Sequence, residues 1–175
     1  MIVALAAALL PGCATAPASY DFVDPAYDEI RYDGFMAYAA FADRAIEAAF
    51  EQALCKRLNS AGHACTTMLR EAPPTREQDA ASRHRASRAS GAQATIVIEI
   101  ADPQSVSRQI IAGGRPAYEV SLVDNADQLV TGRFYIEAGT HRDDSVARQA
   151  RALADRITAA LDEHSLLQQR TADSP

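Results

Sequence analysis

The hydrophobic and polar positions of this chain fall into two alternating periods. Gly34 to Phe41, GFMAYAAF, is a short apolar run of strand length. Asp43 then stands at a helix-cap position, and Ile46, Ala49, Phe50, Ala53, Leu54 and Leu58 follow in steps of three and four as one stripe. Gly62 supplies the positive-φ residue that commonly stops such a helix. Ala64 to Leu69 is a weaker strand, broken by Pro73-Pro74. Thr75 and Gln78 have capping-box spacing and open a second helix, rich in Ala, Ser and Arg, that runs to Ser90.

Ala94 to Ile100, ATIVIEI, is apolar on both parities, the pattern of a strand covered on both faces and so central in a sheet. Hairpins follow: Ser105 to Ile111, a turn at Gly113-Gly114, Ala117 to Val123, a turn at Asp124 to Asp127, and a strand over Gln128 to Ala138. The last helix starts near Asp143 or Asp144 and carries the clearest stripe, from Val146 through Ala150, Leu153, Ala154 and Ile157 to Ala160 and Leu161. With the Ser105-to-Val123 hairpin counted as one unit, the order is β-α-β-α-β-β-β-α. That order predicts a single α/β domain with a mixed sheet over 31–167, followed by a disordered tail at 168–175.

The first thirty residues obey neither period. Ile2 to Leu10 is apolar but too short to cross a membrane, and it ends at small residues, as the core of an export signal does. Leu10-Pro11-Gly12-Cys13 resembles the lipobox of bacterial lipoproteins. The resemblance implies cleavage after residue 12 and acylation of Cys13, first on its thiol and then on its new amino group. At about 0.8 kcal/mol per buried CH₂, two or three acyl chains hold a domain at a bilayer without a spanning helix. Proline before Gly12 is an uncommon lipobox residue, and no Lys or Arg precedes the apolar run; a start codon lying upstream would account for the missing charge. Residues 13–30, with Pro17, Pro25 and many small residues, read as a flexible tether. By the sorting rule of the lipoprotein family, Ala14 after the acylated cysteine implies the periplasmic face of the outer membrane.

The element order over Gly34 to Leu167, together with the lipobox, resembles the compact domain of several envelope lipoproteins and their relatives. These are the curli-secretion lipoprotein, the outer-membrane activator of a penicillin-binding protein, the exopolysaccharide-export lipoprotein PelC, and the N-terminal domain of TolB. The resemblance implies a non-catalytic binding or assembly domain, often oligomeric, whose partners are envelope proteins or copies of itself.

Composition narrows the remaining chemistry. The 175 residues are 48% hydrophobic without tryptophan, and much of that fraction is alanine, so the core should be modest. The formal charge of −6 argues against a nucleic-acid binder. No phosphate-binding loop, nucleophile elbow or metal-ligand spacing is present: His63, His84, His141 and His164 are scattered, and His141-Arg142-Asp143-Asp144 reads as a loop ending in a helix cap. The expectation is a protein that is not an enzyme, uses no cofactor and takes no small-molecule substrate. Cys55 and Cys65 invite a disulfide in an oxidising compartment. Counting about 100° per residue, however, turns Cys55 to the outer face of its helix, so free thiols are expected there. Arg83, Arg85 and Arg88, with His84, form a basic run on the second helix. Arginine forks suit carboxylate and phosphate, which makes an anionic envelope ligand, a lipid headgroup or an acidic glycan, the alternative function. A solvated helix face is the plainer reading of the same residues.

Overall fold

The computed structural model describes residues 20–75, 79–101, 116–137, 139–140 and 144–168. Six strands form one mixed sheet: β1 (Tyr20–Val23), β2 (Gly34–Ala39), β3 (Ala64–Thr67), β4 (Ala94–Ile100), β5 (Ala117–Asp124) and β6 (Val130–Glu137), in the order β1-β6-β5-β4-β2-β3. Strands β3, β2 and β4 run parallel, while β4, β5, β6 and β1 alternate in direction. The chain is therefore the α/β domain with a mixed sheet that the patterning predicts, and β4 is the interior strand expected of ATIVIEI.

The helices are α1 (Arg44–Ser60), a single turn α2 (Met68–Glu71), α3 (Ala80–Ala89) and α4 (Val146–Glu163). Alternation along the strands sorts the side chains onto two faces. Phe35, Ala37, Ile96, Ile98, Val120, Leu122 and Phe134 join α1 and α4 in the main core, where Leu54, Leu58, Leu153, Ile157 and Leu161 are fully buried. Met36 and Tyr38 point the other way and meet Met68, Ala72 and Ala86 beneath α2 and α3. The β3-β2 half of the sheet is thus covered on both faces.

Local chemistry explains most boundaries. The Asp43 carboxylate accepts hydrogen bonds from the N–H groups of Ala45 and Ile46, the cap the sequence indicated. Gly62, at φ +94°, follows the end of α1 and lets the chain turn into β3. Helix α3 starts later than the Thr75–Gln78 spacing indicates, because Asp79 is its cap and accepts from Ser82 N–H at 2.6 Å. The cap residue of α4 is Ser145, which makes no side-chain cap bond; Asp144 instead pairs with Arg148 one turn on. The expected hairpin arm at 105–111 and its glycine turn, the signal segment and the lipobox lie outside the described residues.

Three expectations are overturned. The segment read as a tether is structured from residue 20: Tyr20–Val23 pairs antiparallel with β6 as an edge strand, and Asp24 caps a 3-10 turn over Pro25–Tyr27. Four residues between two prolines are too few to show a period, and their partner strand lies more than a hundred residues away. The buried face of α1 comprises Glu47, Phe50, Glu51, Leu54, Cys55 and Leu58. Relative to the stripe centred on Ile46 and Ala53, the helix is rolled by roughly a third of a turn, at about 100° per residue. That roll also corrects the third expectation. Cys55 faces the sheet and is bridged to Cys65 on β3, with a Cα–Cα separation of 4.9 Å, where free thiols on an outer face were expected.

Candidate functional site

Strands β2 and β4 begin, and β5 ends, at the same end of the sheet, so three connections meet there. They are the segment entering β2, the turn from α3 into β4, and the hairpin turn between β5 and β6. Gln93 ties the first two together: its side-chain oxygen accepts from Asp33 N–H at 2.7 Å, and its own N–H donates to the Gly34 carbonyl at 2.8 Å. Asn125 ties in the third. Its amide donates to the Ala92 carbonyl at 2.8 Å, its oxygen accepts from the buried Thr95 hydroxyl at 2.7 Å, and its backbone N–H donates to the Gln93 carbonyl. Gly91, at φ +76°, supplies the left-handed residue that bends α3 back to β4.

These connections enclose an open cleft of about 380 Å³. Its floor is Tyr32, whose buried hydroxyl donates to Asp124 at 3.1 Å. Burial raises the pKa of that phenol, so it stays a neutral donor. Asp124 also accepts from Ala126 N–H at 2.7 Å, so both carboxylate oxygens are engaged. Arg31 enters from the β2 side, where its guanidinium donates to the carbonyls of Asp28 and Ile30, and Arg88 enters from α3.

The basic run of α3 is therefore split. Arg88 lines the cleft, whereas Arg83 lies over the Tyr38 ring, its guanidinium carbon 5.4 Å from the centroid. Arg85 is exposed on the helix and lines no part of the cleft. The sequence reading missed Arg31, Gln93 and Asp124, which belong to three connections with no shared motif; only the turn at Asp124 to Asp127 was visible. Cys13 lies outside the described residues.

A second cluster is internal. The Glu51 side chain is fully buried, and its two oxygens accept from Ala39 N–H at 3.3 Å and Leu69 N–H at 3.0 Å, joining the end of β2 to the start of α2. Burial pushes its carboxyl up to about 7, although the two N–H donors pull the other way. Glu47, one turn earlier, is buried beside Arg44, with which it pairs. Of the histidines, His63 is buried 3.7 Å from Asp33, and His164 lies 3.6 Å from Asp21. Among the described residues no three metal-ligating side chains converge, and no helix is long and apolar enough to cross a membrane.

An α/β domain in which helices cover a mixed six-stranded sheet, with a polar cleft at one end of it, is the class of structure these observations define. No known protein family and no curated protein matches the chain. Among solved structures it is similar to the PelC dodecamer from Paraburkholderia phytofirmans, with a TM-score of 0.51 and 12% identity, covering 87% of this chain and 99% of that one. A variant of that dodecamer from the same organism covers the same shares, at a TM-score of 0.49 and 14% identity. At such identities the likeness is one of fold.

Proposed function

We propose that this protein is a lipid-anchored periplasmic assembly factor that self-associates within an envelope exopolysaccharide-export system and has no catalytic chemistry of its own. The observation that carries the reading is the near-complete overlap with a chain whose solved form is a PelC dodecamer. The Cys55–Cys65 bridge is an independent support, because such bonds persist in oxidising compartments such as the periplasm. The lipobox at Leu10 to Cys13 supplies the anchor. Light scattering and native mass spectrometry on the mature chain, acylated at Cys13 and purified in detergent, test the assembly. A discrete ring-sized oligomer is expected, and a monomer at tens of micromolar overturns the reading.

A further inference from the structure

We infer that the cleft between the β2 entry, the α3–β4 turn and the β5–β6 turn is a binding site for a carboxylated sugar residue. Most of its polar acceptors are already engaged by the fold. Each side-chain oxygen on the cleft's amide and carboxylate groups accepts a hydrogen bond from the protein: both oxygens of Asp124, the amide oxygen of Asn125, and that of Gln93. The Asn125 amide nitrogen is likewise committed, to the Ala92 carbonyl. What remains is a set of donors. Arg88 is exposed and forms no ion pair with any described residue, and the Gln93 side-chain nitrogen has no partner among them. Arg31 spends one guanidinium nitrogen on two carbonyls and keeps the rest of its fork.

The lining residues carry two guanidinium groups and a single, already hydrogen-bonded carboxylate, a net positive charge in a chain whose formal charge is −6. Guanidinium forks match planar carboxylates in a bidentate way, and a neutral amide donor beside them suits a ring hydroxyl. The volume is at the small end of ligand pockets, which run from about 300 to 1,000 Å³, and suits one or two sugar rings. A membrane surface fits less well. None of the large exposed apolar residues, Phe22, Ile100, Leu129, Val130 and Val146, is among the residues that line it. The site does not depend on self-association, and either reading can fail alone.

Calorimetric titration of the full chain with glucuronate, with glucose and inorganic phosphate in parallel, tests the assignment. Saturable glucuronate binding that weakens with added salt is expected, with glucose and phosphate much weaker. Arg88→Ala and Arg88→Lys should each weaken it by about tenfold or more, the scale of a lost charge-assisted hydrogen bond. Arg83→Ala should leave it unchanged. Arg88 is exposed, so both of its variants should melt as the parent does. No saturable glucuronate binding, equal binding of glucose or phosphate, or indifference to Arg88 overturns the proposal. So does Arg88-dependent sedimentation with phosphatidylglycerol vesicles in place of sugar binding.

Discussion

Glu51 shows at the residue scale what the pattern of polar positions conceals. A glutamate at a helix position reads as solvent-facing, yet this one is fully buried and accepts two backbone N–H groups that β2 and α2 would otherwise leave unpaired. Its carboxyl is raised from an ordinary 4.5 to about 7, so the folded state holds the proton more tightly than the unfolded chain does. The associated stability is fully present below 4.5 and is lost as pH rises through 7. Thermal melts across pH 4 to 8 (approximate limits chosen to bracket that range) should show the parent losing ground to Glu51→Gln as pH rises; a pH-independent difference between them refutes the mechanism. The Asp43 cap was legible because its signal is local. The roll of α1 was not, because alanines on several sides of the helix blur the stripe, and the true face carries two acids and a cysteine.

At the scale of elements, length decided what could be read. Strand β4, a continuous apolar run of seven residues, and helix α4, with eighteen residues and a clear stripe, stand where the patterning puts them. Strands β1 and β3 have four residues each, and the single turn α2 stands where a longer β3 was expected. Truncating Ile96 or Leu153 to Ala, both fully buried, should cost about 2–5 kcal/mol each, read from denaturant midpoints. The Cys55–Cys65 bridge staples the edge strand β3 to α1 across a sequence separation of 10. In the chain-entropy account a loop of that size is worth about 2.5–3 kcal/mol. A reducing agent should therefore lower the melting temperature, and an unchanged melt would show that the bond constrains nothing.

At the scale of the whole molecule, sequence patterning reached the α/β class and the mixed sheet but not the cleft, whose walls come from connections thirty or more residues apart along the chain. Pattern reading works within an element; a site assembled between turns needs the register of the sheet. The proposed anchor belongs to this scale as well. Cys13→Ala should move the protein from the membrane fraction to the soluble periplasmic extract, and mass spectrometry of the parent should find an acylated N-terminal Cys13. An unmodified Met1 in the parent refutes the anchor.

The pairing of β1 with β6 changes what that anchor can do. Had the chain been loose to residue 30, the domain could have roamed far from the bilayer. With the sheet beginning at Tyr20, only seven peptide links separate it from Cys13. At 3.3–3.6 Å per residue they reach about 25 Å at full stretch. An acylated Cys13 would thus be a short leash fastened to one edge of the sheet. The β1 edge would be held close to the lipid, and every copy on the same leaflet would stand at nearly the same height. Neighbours confined in that way would search for one another in two dimensions, already upright.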